Sequence, residues 1–274
     1  MDQRLSPATK DPDFRHLMPD RGCVDKPCAG MLTTGEPQGR LELKYCLPEL
    51  LAADVLDRAR GHLVPEPLAL GAQQRVTSLY LDTPDLTFLR WHRQRVGDRY
   101  KLRIRAYGEL PATTLYVELK CKNGQVVRKE RGAFPAAIRD AVVAECHARH
   151  GATPRMLVSV VRESLRDPGQ PTAVTVDRAL RYQPTTRIDM IGDAGAWKTL
   201  PLPPCAGPAP VLVELKFGAD APLWMAALSE QLAPWRVSFS KYATAMTCTE
   251  REPAVSGVLE PVMSAFAASV DRAA

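Results

Sequence analysis

The sequence predicts an α+β fold built on a closed antiparallel β-barrel whose strands have one apolar and one charged face. Three observations lead there. First, the tripeptide Glu-Leu-Lys occurs three times, at Glu42–Lys44, Glu118–Lys120 and Glu214–Lys216, each inside a strand-like run: LELKYCL, LYVELKCK and VLVELKF. Successive side chains of a strand point to opposite faces, so each Glu shares a face with its Lys, and the intervening Leu faces the other way. Second, about eight alternating runs are interrupted by only a few helical patterns, which favours an antiparallel barrel flanked by helices. Third, Arg90–Arg105 holds seven Lys or Arg among sixteen residues and one acid, Asp98. That segment also alternates, with Lys101, Arg103 and Arg105 opposite Leu102 and Ile104. The spacings of 76 and 96 residues between the tripeptides are unequal, so they are not a tandem repeat.

The elements follow in order. A strand covers about 40–46, and Pro48 opens a helix that runs to about Arg60, because proline suits a first helical turn. RVTSLYLD, 75–82, alternates as a strand, and PDLTFLRWHRQ after it reads as a short helix. Strands are expected at about 99–107, 113–122 and 125–132, the last two joined by the hairpin signal Asn123-Gly124. FPAAIRDAVVAECHARHG is a helix stopped by Gly151. MLVSVVRES, TAVTVDRAL and TTRIDMI are three further strands, followed by a Pro/Gly-rich loop over 192–210. VLVELKF is the last clear strand. APLWMAALSEQL and SKYATAMTCTE are helices, the second capped by Ser240. Residues 1–38 read as a disordered leader, 39–251 as one domain, and 252–274 as an Ala-rich tail with helical character.

Composition excludes several classes of function. Seven cysteines, an odd number, fit reduced thiols in a cytoplasmic protein. Cys23 and Cys28 lack a second pair at metal spacing, which argues against zinc. No apolar run reaches membrane-spanning length, so the chain is expected to be soluble, or peripheral through a membrane-protein partner. HExxH, GxSxG, Walker A and GxGxxG motifs are missing from the sequence. His147 and His150 read as surface residues. Aromatics are only 6% of the chain, and the cations share strands with glutamates, so nucleic acid is not an expected partner.

Two readings of the charged faces remain. They could see water from a half-exposed sheet. Alternatively they line the lumen of a barrel whose apolar outside is covered by helices, which would be costly unless a polyanion occupied the space. Carboxylates among the cations would offer oxygen ligands to a divalent metal.

The second reading matches a known family. The segments LELKY (41–45), SLYLDTPDL (78–86), YKLRIRAYG (100–108), YVELKCKNGQVVRKER (116–131), VTVDR (174–178), VLVELKF (211–217) and FSKY (239–242) resemble, in order, the VTC-type polyphosphate polymerase domain of the triphosphate tunnel metalloenzyme superfamily. The resemblance implies that Lys44, Arg103, Arg105, Lys120 and Lys241 hold ATP or polyphosphate. Lys129 or else Arg131, together with Arg162, would add basic contacts. Glu214 would bind Mn2+ or Mg2+, with Glu42 and Glu118 as second carboxylates for the metal or as partners of the lysines. The sequence departs from the family at Ala173 and Ser238, where basic residues are usual, with Arg178 and Arg236 nearby. Position 40 is Arg, so the ExExK pattern of the superfamily's phosphatases and cyclases is incomplete. The implied function is ATP-dependent phosphoryl transfer to a polyphosphate end. The alternatives are a non-catalytic polyphosphate or inositol-phosphate sensor and a triphosphate or polyphosphate hydrolase.

Overall fold

Alternation along the strands organises the whole molecule. The protein was analysed as a computed structural model that describes residues 41–66, 73–123, 126–205, 209–218 and 220–251. The leader, Cys23, Cys28, the Gly124 turn and the C-terminal tail lie outside the described residues.

The strands are β1 (Leu41–Pro48), β2 (Val64–Pro65), β3 (Gln74–Asp82), β4 (Arg99–Tyr107), β5 (Thr114–Asn123), β6 (Val126–Pro135), β7 (Thr153–Arg166), β8 (Ala173–Pro184), β9 (Lys198–Thr199) and β10 (Pro210–Phe217). They form one antiparallel sheet in the order β1-β10-β8-β7-β3-β4-β5-β6, with β2 and β9 as short additions beside β7 and β8. The helices are α1 (Glu49–Arg60), α2 (Thr87–Arg93), α3 (Arg139–His150), α4 (Leu223–Gln231) and α5 (Lys241–Arg251).

The α+β class matches the sequence reading, but the sheet does not close into a barrel. Among the described residues β1 and β6, at its two ends, share no backbone ladder. Side chains span the gap instead: Lys120 on β5 donates to Glu42 on β1 at 2.6 Å.

TTRIDMI also departs from expectation. Strand β8 runs on to Pro184, and 185–191 is a series of bends. Local bonds outcompete a ladder there. Thr185 Oγ1 accepts the Arg187 N–H, and Asp189 Oδ1 accepts those of Ile191 and Gly192. Elsewhere the helix signals hold. Gly151 ends α3 at φ 62°, a left-handed conformation that glycine adopts at little cost. Ser240 Oγ accepts the Ala243 N–H at the start of α5.

Three apolar clusters support the sheet. Leu102, Ile104, Val117 and Leu119 pack with Phe88 of α2 and Val142 and Cys146 of α3. Tyr45, Val174, Val213 and Leu215 pack under α1 and α4. Met156, Val158 and Leu180 pack against Tyr242 and Ala245 of α5.

One buried carboxylate joins the helices to the sheet. Asp82, at the end of β3, is fully buried. Its Oδ1 accepts the backbone N–H groups of Thr83 and Phe88 at 2.8 and 2.9 Å. Its Oδ2 accepts the Leu89 N–H at 3.0 Å and the Tyr242 hydroxyl at 2.9 Å. Asp82 thus caps α2 and anchors the first turn of α5. Asp82→Ala leaves these donors buried and unsatisfied, and is expected to cost about 3 kcal/mol or more. Tyr242→Phe removes one bond and should cost about 1 kcal/mol. Urea unfolding of both variants checks the ratio, and equal losses would refute the anchoring role.

A candidate anion-binding site

The charged faces meet on the concave side of the sheet, around a cavity of about 410 Å³. All eleven site residues expected from the sequence line it: Lys44, Arg103, Arg105, Lys120, Lys129, Arg131, Arg162, Lys241, Glu42, Glu118 and Glu214. Its described lining holds eleven Lys or Arg side chains against five Asp or Glu, an excess of six positive charges.

Register explains how they assemble. Across β4, β5 and β6, Arg103, Glu118 and Arg131 stand abreast, and one step along so do Lys101, Lys120 and Lys129. In the first row a glutamate stands between two arginines. The second sets three like charges side by side, which destabilises a sheet unless something of opposite charge intervenes.

Glu118 is the hub of the first row. Only 2% of its side chain is exposed, and Arg103 Nη2 lies 2.7 Å from its Oε2. Arg105, Lys129 and Arg131 lie at 3.4–3.5 Å. Burial favours the protonated form, but the pull of Arg105, Arg103, Lys129 and Arg131 holds the carboxyl well below the usual range. Arg131 stacks on Tyr116 with its guanidinium 4.0 Å from the ring centroid. Its buried Nε and Nη2 make no hydrogen bond within the protein.

A second acidic centre lies across the cavity. Asp177, fully buried on β8, receives a bidentate pair from Arg162 at 2.6 and 2.8 Å, and its Oδ2 lies 2.7 Å from Lys241 Nζ. Glu214 lies 3.3 Å from the same lysine, 3.6 Å from Lys44 and 3.1 Å from Lys216. Burial opposes charge on Glu214, yet Lys241, Lys216 and Lys44 outweigh it and hold its carboxyl well down. Glu42 is drawn down to about 2, with burial raising it and Lys120 and Lys216 lowering it further.

Sequence reading missed several contributors. Asp177 lies within the VTVDR run, and alternation with Ala173 and Thr175 places it on the charged side. Lys101 shares a face with Arg103, and Lys216 completes a Glu-Leu-Lys already noted. Tyr80, which accepts from Arg103 Nη1 at 3.2 Å and stacks on Tyr242, carries no sequence signal of a lumen role.

The two departures also have places. Ala173 pairs with Lys216 and Arg166 on the cavity wall, and Ser238 lines an outer chamber beyond Ser240. Neither nearby arginine substitutes for them. Arg178 points to the opposite face, held by Glu49 and Glu163, and Arg236 is exposed outside the cavity lining.

A divalent cation has a partial fit. No three His, Cys, Asp or Glu side chains come together as a metal cage among the described residues. Glu118 is surrounded by cations, apart from the other two candidate carboxylates. Glu214 lies near enough to Glu42 that its charge raises the Glu42 pKa among stronger effects. One or two carboxylates completed by phosphate oxygens are a usual seat for Mg2+. Glu214 and Glu42 fit that role.

The model of the VTC domain matches residues 39–142 and 138–250. The chain belongs to the VTC domain family. No curated protein matches it in sequence. Among solved structures, a Vibrio parahaemolyticus protein described as a candidate adenylate cyclase is 14% identical, over 77% of this chain and 99% of its own, with a TM-score of 0.46. The PH1819 protein of Pyrococcus horikoshii OT3 is 12% identical over 77% and 99%, with a TM-score of 0.44.

The pull of its cations on Glu118 sets a pH dependence for the VTC domain. A carboxyl whose folded pKa is depressed stabilises the fold above its unfolded pKa of about 4.3, and that contribution is lost as pH falls towards the folded value. Glu118→Gln is expected to cost about 3–5 kcal/mol at pH 7, because four cations lose a buried partner. The difference from wild type should shrink as pH is lowered below about 4. Urea titrations at several pH values measure this, and a constant difference down to pH about 2.5 would contradict it.

Proposed function

We propose that this VTC domain is an ATP-dependent polyphosphate polymerase working in the concave cavity. The observation that carries the reading is the excess of six positive charges around about 410 Å³, with Lys101, Lys120 and Lys129 abreast. A sheet bearing such a row is relieved by a ligand that is both long and multiply negative. Oligophosphate has that charge density, whereas a single carboxylate or phosphate would neutralise only part of it.

In this reading Arg103, Arg105 and Lys120 hold the β- and γ-phosphates of ATP, and Lys241, Lys44 and Arg162 extend the path for a polyphosphate chain. A terminal phosphate oxygen of the chain, already deprotonated near neutral pH, attacks the γ-phosphorus. A new P–O–P bond forms, the β–γ bridging bond breaks, and ADP leaves with the electron pair. The transferred group spreads negative charge over its equatorial oxygens, so fixed guanidinium and ammonium groups supply most of the catalysis. A divalent cation, held by Glu214 and Glu42, would neutralise phosphate charge. No side chain need remove a proton.

Ala173 and Ser238 favour a second reading, a tunnel that binds oligophosphate without turning it over, because each withholds a cation from the path. One experiment separates the two. The full chain is incubated with ATP and Mn2+ or Mg2+, with and without a short polyphosphate primer, and both polymer with ADP and free phosphate are measured. Polymer is expected, and Glu214→Ala and Lys241→Met should each reduce it by about 100-fold or more, the range for losing one charged contact in a preorganised site. Free phosphate alone would make the protein a hydrolase. Oligophosphate binding with neither product would make it a sensor.

A further inference from the structure

Lys101 differs from every other cation lining the cavity. Each of the other ten has a carboxylate within 4 Å, among them Lys120 with Glu42 and Lys129 with Glu118. Lys101 donates to Ser240 Oγ at 2.9 Å and has no ion pair among the described residues. Its surroundings are cationic on every side. Lys120 stands directly across on β5, Lys44 faces it from β1, and Arg99 and Arg103 flank it on its own strand. From α2 comes His92, pressed down to about 4 by burial and then by Lys101 and Arg99. The nearby carboxylates are committed elsewhere, Glu42 to Lys120 and Glu118 to Arg103, Arg105, Lys129 and Arg131. Burial first, then Lys44 and Lys120, drives the Lys101 ammonium well below its usual pKa.

The position of this lysine is as telling as its charge. Ser240, which it contacts, lines both the central cavity and an outer chamber of about 650 Å³. The described lining of that chamber includes Arg95, Arg99, Lys122 and Arg251 and contains no Asp or Glu. Lys101 therefore stands where the cavity gives way to a second basic space.

We propose that Lys101 is a binding residue for an oligophosphate passing from the cavity into the outer chamber, and that it takes up a proton as the anion arrives. With no anion present its cationic neighbours and its burial weaken its hold on its proton, and Ser240 Oγ is its polar partner. Phosphate oxygens supply the missing negative charge, so the protonated fraction of Lys101 rises by uptake from the buffer, and the ammonium donates to the phosphate. The inference rests on the oligophosphate reading of the cavity and adds a proton stoichiometry to it.

Isothermal titration calorimetry of the full chain with inorganic tripolyphosphate tests this, run at one pH in two buffers of different ionisation enthalpy. The ligand's own protons contribute equally to all variants, so the quantity read is the difference between wild type and Lys101→Arg, whose side chain stays charged. Wild type is expected to take up as much as one proton more per site, and Lys101→Arg to keep its affinity within a few-fold. Lys101→Met should bind about tenfold more weakly, the loss of one charge-assisted contact. The proton difference should persist in a His92→Gln background, since His92 is another group there able to gain a proton. Equal proton uptake by wild type and Lys101→Arg, with tight binding in both, would overturn the role of Lys101 and leave the oligophosphate reading intact. Absence of tripolyphosphate binding by folded wild type would overturn both.

Discussion

The concave face depends on a balance between inward-facing cations and a few buried carboxylates. Glu118, Glu214 and Asp177 are each nearly or wholly buried, and each meets two or more positive side chains. Removing any one leaves several charges without a partner in a medium that solvates them poorly. The same balance is incomplete by design of the register. Lysines outnumber the acids along the second row of β4, β5 and β6, and the surplus is directed at open space rather than at another strand. Stability and the cavity's positive charge thus come from one set of contacts: the acids hold the cations in place, and the surplus leaves the cavity positive.

The open sheet belongs to the same balance. A closed ladder would join the first and last strands by backbone. Here the join is made by side chains such as Lys120 and Glu42, and Lys101 with Ser240 tethers β4 to the start of α5. Helix α5 is held independently through Tyr242 and Asp82, so its first residue, Lys241, reaches Asp177 and Glu214 from a fixed platform. The SLYLDTPDL and FSKY segments, far apart in sequence, are linked by the Asp82–Tyr242 bond and the stacking of Tyr80 on Tyr242.

Much of this was legible in the sequence because a strand has a period of two. Alternation alone put Glu42 with Lys44, Arg103 with Arg105 and Glu118 with Lys120 on common faces, and it placed Arg178 on the far side from Ala173. What alternation cannot give is the neighbour across the ladder. Whether Lys101 faces a glutamate or Lys120 is a matter of register, and register depends on hairpin geometry and bulges such as the shift between Ser159 and Val161. Closure was over-read for a related reason: inward charge implies a curled sheet, but not which groups meet at the seam. TTRIDMI failed differently. Its apolar alternation was real, but Thr185 and Asp189 bonded to the local backbone and bent the chain. Asp177 was overlooked because a lone acid in an apolar run looks the same whether it faces solvent or two buried cations.

Because packing and chemistry occupy alternate residues of the same strands, the two can vary separately. A substitution at an inward position such as Ala173 alters the charge offered to a ligand while Val174 and Val176 beside it keep their contacts under α1 and α4. A point change at such an uncharged inward position can therefore alter the charge of the cavity at little cost to folding, one at Glu118 or Asp177 would disturb both, and inserting one residue would exchange the two faces at once. This scaffold is plastic towards replacement and brittle towards insertion.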